Sequence, residues 1–143
     1  MSKYKTSSHS TYNINYHLVF VTKYRKKVLT DIIQIDLKLF LITKAIEYGA
    51  NIKAIESMTD HVHIFIQVSP RIKLSDLVKK MKGSVSYLLR KKYQYLASLK
   101  AIWSPSYFAE SIGHISEATI VQYINNQKTP KKKWKTIQME QQS

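Results

Sequence analysis

The chain has 143 residues, 23 Lys and Arg against 9 Asp and Glu, a formal net charge of +14 and a pI near 9.9. That length suits one domain with a single core, and that charge points to a polyanionic partner, nucleic acid first. With no cysteine, disulfides and thiolate metal sites are excluded, so any metal has to use histidine, carboxylate, amide or water ligands, which favours a harder divalent ion.

An anionic membrane surface would also attract a basic chain. No stretch, however, approaches the roughly eighteen uninterrupted apolar residues of a spanning helix, and no amphipathic basic segment stands alone. Met1 to Ser10 is polar and lacks the apolar core of a signal peptide, which predicts a cytoplasmic protein with no membrane partner. The carboxylates Asp31, Asp36, Glu47, Glu56, Asp60, Asp76, Glu110, Glu117 and Glu140 are scattered. Most sit beside lysines or at expected element ends, where solvation accounts for them, and this argues against an acid-triad nuclease.

In chain order, Tyr12 to Thr22 alternates, with Ile14, Tyr16, Leu18 and Phe20 on one side and Asn13, Asn15, His17, Val19 and Val21 on the other, as in a strand. A basic turn, Lys23 to Lys27, leads to Thr30, an N-cap for a helix that ends at Gly49. Strands Asn51 to Ser57 and His61 to Val68 follow, joined by Met58-Thr59-Asp60, short enough for a hairpin. From Leu74 the residues Leu77, Val78, Met81, Val85, Leu88 and Leu89 step by three and four, a second amphipathic helix with Lys79, Lys80, Lys82, Arg90, Lys91 and Lys92 on its outer face. Trp103 to Ser106 punctuates the chain before a short strand from Tyr107 to about Ile112, which Gly113 breaks. Ser116 caps a last helix through Gln127. Pro130 stops it, leaving a basic tail of Lys131 to Lys135 around Trp134.

This order predicts an α+β fold, a ferredoxin-like βαββαβ sandwich with an antiparallel sheet, helices on one face and an added C-terminal helix. We expect one domain over 1–143, with a core of about 12–127 and a basic tail of 128–143. Alternation along the third strand turns Val62, Ile64, Ile66 and Val68 to the helices and His61, His63, Phe65 and Gln67 to the open side of the sheet.

Residues two apart on a strand have Cα atoms roughly 6.6 Å apart, so two imidazoles can lean toward one ion at nitrogen distances of ~2.1 Å. The pair His61 and His63 also reads as two exposed histidines. On the last helix Tyr123 and Gln127, at i and i+4, share a face. They read either as a packing aromatic with a solvated amide, or as a phenol nucleophile with an amide oxygen that joins the same ion. A phenol with a pKa of about 10 is a poor nucleophile at neutral pH, so the second reading requires a cation that polarises a phosphate and holds the reacting centre in line. Gly83, inside a helix at a cost of ~1 kcal/mol relative to alanine, suggests close packing or, failing that, backbone approach to DNA. Trp103 suits the core or a stacking role on unpaired bases; Trp134 suits stacking. His17 shares the histidine face, where it reads as a supporting or DNA contact. His9 and His114 acquire no role.

Taken together, these residues resemble the TnpA transposases of small bacterial and archaeal insertion sequences, the single-tyrosine branch of the HUH nucleases (His, hydrophobic, His). The resemblance runs through Tyr16-His17-Leu18-Val19-Phe20, Lys23 to Leu29, Asp60-His61-Val62-His63, the Val78 to Arg90 helix with Lys82-Gly83-Ser84, Trp103 with Ser106-Tyr107-Phe108, and Gln122-Tyr123-Ile124 with Asn126-Gln127. It implies that His61, His63 and Gln127 ligate one divalent ion, Mg2+ or Mn2+, and that Tyr123 is the nucleophile. It further implies a homodimer in which Tyr123 acts in trans at some stage, with single-stranded DNA hairpins at element ends as substrate, cleaved to a 5′-phosphotyrosine and rejoined. Lys23, Arg25, Lys26, Lys79, Lys82, Arg90, Lys131, Lys132 and Lys133 are the candidate phosphate contacts, with plain solvated charge as the other reading for about half of the lysines. A non-catalytic RNA- or DNA-binding module on the same scaffold, and a related nickase or domesticated palindrome-processing nuclease, are the competing functions.

Overall fold

The computed structural model describes residues 4–6 and 11–113. The expected helix capped by Ser116, with Tyr123 and Gln127 on it, and the basic tail with Lys131, Lys132 and Lys133 lie outside the described residues, as do His9 and His114. The elements run β1 (Lys5–Thr6), β2 (Thr11–Tyr12), β3 (Asn15–Val21), a 3-10 turn (Lys23–Arg25), α1 (Asp31–Glu47), β4 (Ala50–Ser57), β5 (His61–Val68), α2 (Leu74–Lys92), α3 (Gln94–Ser98) and β6 (Phe108–Ile112). The order β3-α1-β4-β5-α2-β6 is the expected βαββαβ. The single strand anticipated from Tyr12 to Thr22 divides instead, since β2 pairs with β1 and only β3 joins the main sheet. Helix α3 leaves no periodic signal in the sequence, because five residues are too few to show a helical period.

The main sheet has strand order β4-β5-β3-β6, every neighbouring pair antiparallel, which is the ferredoxin-like arrangement. Its central strands, β5 and β3, are held on both edges, and this fixes the histidine-bearing strand more firmly than an edge position could. Leu18 and Phe20 of β3 and Val62, Ile64, Ile66 and Val68 of β5 share one core with Ile33, Leu37, Leu41 and Ala45 of α1 and Leu77, Val78, Met81, Val85 and Leu89 of α2. Each such aliphatic side chain contributes about 1.5–3 kcal/mol on full burial. Trp103 is 7% exposed and meets Phe20 edge-on with ring centroids 5.8 Å apart, so it belongs to the core.

Local signals set the helix limits. Thr30 accepts a hydrogen bond from the Ile33 amide through its side chain, and Asp31 in the first turn suits the helix dipole. Gly49 follows α1 at φ +85, a left-handed conformation that glycine adopts without strain, and a Cβ there would stand 3.2 Å from Ile72 Cδ1. Asp36 on α1 receives Lys92 Nζ at 2.8 Å and the Tyr93 hydroxyl, tying α1 to the end of α2.

Helix α1 is apolar on its outer side as well. Ile32 (68% exposed), Ile35 (69%), Leu39 (57%), Ile42 (37%) and Ile46 (63%) recur at alternating steps of three and four. Gly83 departs from expectation: a Cβ built there meets nothing within 4 Å among the described residues, so close packing among them does not explain it. Gly83→Ala is therefore expected to stabilise α2 by about 1 kcal/mol through helix propensity, read as a raised denaturation midpoint. A lowered midpoint would show that the position is packed after all.

Candidate active site

Antiparallel register places directly opposed residues on the same face of a sheet. On β3 and β5 the opposed pairs are Val21 with His61, Val19 with His63, His17 with Phe65 and Asn15 with Gln67. On β3 and β6 they include His17 with Glu110 and Val19 with Phe108. His61, His63 and His17 thus share the sheet face turned away from α1 and α2, as the alternation requires. The face is not open in the sense expected from the sequence, for His17 is 0%, His61 7% and His63 1% exposed. The rings shield one another: His17 stacks on Phe65 at 4.7 Å and lies 5.2 Å from His63 and 5.5 Å from Phe108, centroid to centroid.

The two β5 imidazoles stand 5.0 Å apart at 81° to each other. His61 Nδ1 lies 2.7 Å from Asp60 Oδ1, and the other carboxylate oxygen, Oδ2, takes Arg25 Nη2 at 3.3 Å. A carboxylate accepts only, so Nδ1 of His61 carries a proton, and in the neutral ring the lone pair lies on Nε2. His63 Nδ1 lies 3.0 Å from His17 Nε2. Asp60, classed from the sequence with the solvated acids, is buried at 7% exposure and acts as the anchor of His61. Its only sequence signal is its place next to that histidine.

The loop that carries Arg25 is stitched to the β4–β5 hairpin. Thr22 N donates to Asp60 O at 3.0 Å, Leu29 N donates to Thr59 O at 2.9 Å, and the Thr22 hydroxyl faces the carbonyls of Lys26 at 2.7 Å and Asp60 at 3.2 Å. Tyr24 and Arg25 both adopt left-handed backbone, φ 59 and φ 52, at a cost on the order of 1–3 kcal/mol each for non-glycine residues. This conformation aims Arg25 at Asp60 and leaves Tyr24 79% exposed at the tip.

Burial lowers the pKa of His17 from 6.5 to about 4; burial, followed by the neighbouring His17 and His61, lowers that of His63 to about 3. Both rings are neutral at pH 7, the state a metal ligand requires. Because the folded values lie below the unfolded one, the unfolded chain takes up protons first as pH falls below 6.5. Stability is then lost at up to about 1.4 kcal/mol per pH unit for each group until the folded value is reached. Between pH 7.5 and 5 the metal-free protein is expected to lose up to about 4 kcal/mol from this pair, measured by denaturant unfolding at the two pH values. An unchanged midpoint would contradict it.

The other expected contacts are dispersed. Lys23 and Lys26 lie on the turn beside Arg25, and Lys79 is exposed on α2. Lys82 is half-buried, directs Nζ to the carbonyls of Ser104 at 2.6 Å and Ser106 at 3.1 Å, and lies 5.7 Å from the Phe20 ring, so it fastens the loop before β6. Arg90 reaches the Ala97 carbonyl at 3.3 Å. Among the described residues no group of three or more His, Cys, Asp and Glu side chains could hold a metal ion. The pair His61 and His63 fits one as part of a ligand set: two perpendicular imidazoles, each with its Nδ1 engaged by a neighbouring side chain, on a strand fixed from both sides. No helix among the described residues is long and apolar enough to cross a membrane.

Comparison with known proteins places this geometry. The family model described as "Transposase IS200 like" matches residues 10–127. The ISDra2 transposase TnpA of Deinococcus radiodurans is 31% identical over 122 residues, 81% of this chain and 85% of that protein. The transposase for insertion sequence element IS200 of Salmonella typhimurium is 25% identical over 135 residues, 89% of this chain and 85% of that one. Among solved structures, one from Deinococcus radiodurans R1, described as a transposase, superposes with a TM-score of 0.72 at 32% identity, covering 86% of this chain and 97% of that chain. A REP-associated tyrosine transposase bound to a REP hairpin shares the fold, with a TM-score of 0.56 at 16% identity over 80% of this chain and 64% of that one. The family match spans the strand with the histidine pair and most of the chain, and this chain belongs to the IS200-like transposase family.

Proposed function

We propose that the chain is a metal-dependent, single-strand-specific DNA transposase of the HUH type. On this reading it binds hairpins at insertion-sequence ends, cleaves beside them through Tyr123 and rejoins the strands for excision and insertion. The observation that carries the reading is the perpendicular pair His61 and His63, with the Nδ1 of His61 on Asp60 and that of His63 on His17. His61 and His63, with the amide oxygen of Gln127, would hold one divalent ion, Mg2+ or Mn2+. When bound, that ion supplies the charge that polarises the scissile phosphate and steadies it for in-line attack.

The chain's own residues do the rest. The phenolic oxygen of Tyr123 attacks phosphorus and gives up its proton; the bond from phosphorus to the 3′ oxygen breaks, and that oxygen leaves as a 3′-OH. The product is a 5′-phosphotyrosine, which retains the energy of the broken diester, so a 3′-OH can later displace the tyrosine without ATP. Arg25 and Asp60 orient His61, while Lys23, Lys26 and Lys79 offer charge to the DNA backbone, with Lys131, Lys132 and Lys133 as further candidates. Tyr123 is delivered within a homodimer, in trans at some stage of the cycle. The apolar outer stripe of α1 suits a second copy, because steps of three and four make a self-complementary seam. Leu39→Glu is expected to shift the protein from dimer to monomer in sedimentation velocity; a variant that remains dimeric would place the interface elsewhere.

A non-catalytic binding module would need aromatic rings displayed on this face for bases to stack on. Phe65 is 2% exposed and packed under His17, which disfavours that reading. A nickase or domesticated relative would share the chemistry and differ in the DNA it cuts. The test of function is incubation of the full chain and Mn2+ with end-labelled hairpin DNA, followed by a denaturing gel. A metal-dependent band at the mass of protein plus oligonucleotide is expected; its absence with binding intact would favour the module.

A further inference from the structure

We propose that His17 is a positioning residue of the metal site: it accepts the Nδ1 proton of His63, and so fixes the tautomer and ring angle with which His63 offers Nε2 to a divalent ion. This rests on the reading of His61 and His63 as metal ligands. The register of β3 on β5 places His17 diagonal to His63, since His63 stands opposite Val19 and His17 opposite Phe65. Diagonal neighbours on one sheet face are about 7–8 Å apart at Cα, within reach of two ring side chains. The nitrogens are 3.0 Å apart and the rings lie within 14° of one plane, the geometry of an N–H···N hydrogen bond. Phe65, stacked at 4.7 Å and 8°, and Phe108, edge-on at 5.5 Å, leave the His17 ring little freedom to turn.

Two neutral imidazoles can share a proton in either direction, and Glu110 breaks the tie. Its Oε2 lies 3.9 Å from His17 Nδ1, across the β3–β6 pairing. A carboxylate on that side favours a proton on Nδ1 of His17 over a lone pair, which makes Nε2 of His17 the acceptor. His63 is then the donor through Nδ1, and its lone pair lies on Nε2. The two proposed ligands are therefore anchored differently, His61 by a carboxylate and His63 by an uncharged ring. An imidazole supplies orientation without setting a second anion beside a phosphate substrate.

The test uses the full metal-free protein and two variants. His17→Gln retains a carbonyl oxygen able to accept from His63 Nδ1, whereas His17→Leu fills a similar space and cannot accept. Titration calorimetry with MnCl2 is expected to show affinity lowered about 10–100-fold for His17→Leu and largely restored for His17→Gln. Nitrogen-15 NMR of the metal-free wild type is expected to show His63 protonated at Nδ1, which decides the point even if His17→Leu fails to fold. Wild-type affinity retained in His17→Leu, or a His63 proton on Nε2, overturns the role of His17 alone. A wild-type protein that takes up no Mn2+ overturns the metal reading and this assignment with it.

Discussion

Tyr123→Phe is expected to abolish the covalent protein–DNA adduct, a fall of at least about a thousandfold, while hairpin binding survives. The substitution removes one oxygen and keeps the ring. The non-phenolic side chains cannot take over. Serine and threonine hydroxyls are weaker acids than a phenol, and cysteine is absent. An adduct band from the phenylalanine variant, at wild-type intensity on a denaturing gel, would show that the nucleophile has been misassigned. Loss of hairpin binding together with the adduct would indicate that the residue serves structure instead.

His61→Ala is expected to be nearly as severe for cleavage, and to lower Mn2+ affinity about a hundredfold or more, beyond the range for an outer partner of a ligand. It is a cleaner probe than a change at His63. Asp60 retains Arg25 at 3.3 Å when the imidazole is gone, so no buried charge is stranded. Removing His63 would also strip a fully buried His17 of its 3.0 Å partner and mix a stability cost with the chemical one. Calorimetric titration with MnCl2, run beside the cleavage assay, separates the two effects. Unaltered affinity with lost cleavage would place the cation elsewhere.

Much of the fold was legible in the sequence because its signals are local. Period-two alternation from Asn15 to Val21 and from His61 to Val68, and steps of three and four in α2, identify which side of each element joins the main core. Thr30 and Gly49 mark both ends of α1. What the sequence obscures is partner choice by long or polar side chains, which depends on tertiary placement. Arg25 and Lys82 read as phosphate contacts, and in the fold Arg25 pairs with Asp60 while Lys82 faces two loop carbonyls. Asp60 reads as solvated until the loop from Thr22 to Leu29 is folded over it. His17 is visible as a third histidine on the right face. Its bond to His63 depends on the register between β3 and β5, which alternation alone does not set.

The histidine pair and its anchors are built into the most constrained part of the sheet, and the exposed turn at Tyr24 is held at the cost of left-handed backbone. Under the proposed function, this division lets the site fix a cation rigidly and still accept a bulky strand of DNA. The bare surface at Gly83 and the charge of Lys79 nearby continue a basic face along α2.

In the proposed mechanism the phenol of Tyr123 and a cation held by His61 and His63 meet at one phosphorus. This is tested most directly by mass spectrometry of the adduct formed by the wild-type chain on hairpin DNA with Mn2+. After trypsin and nuclease digestion, the segment from Ala101 to Lys128 contains both Tyr107 and Tyr123. A 5′-phosphoryl nucleotide is expected on Tyr123, absent without metal and absent from His61→Ala. A nucleotide on Tyr107 or on any other side chain, or an adduct that forms equally well in EDTA, would contradict it.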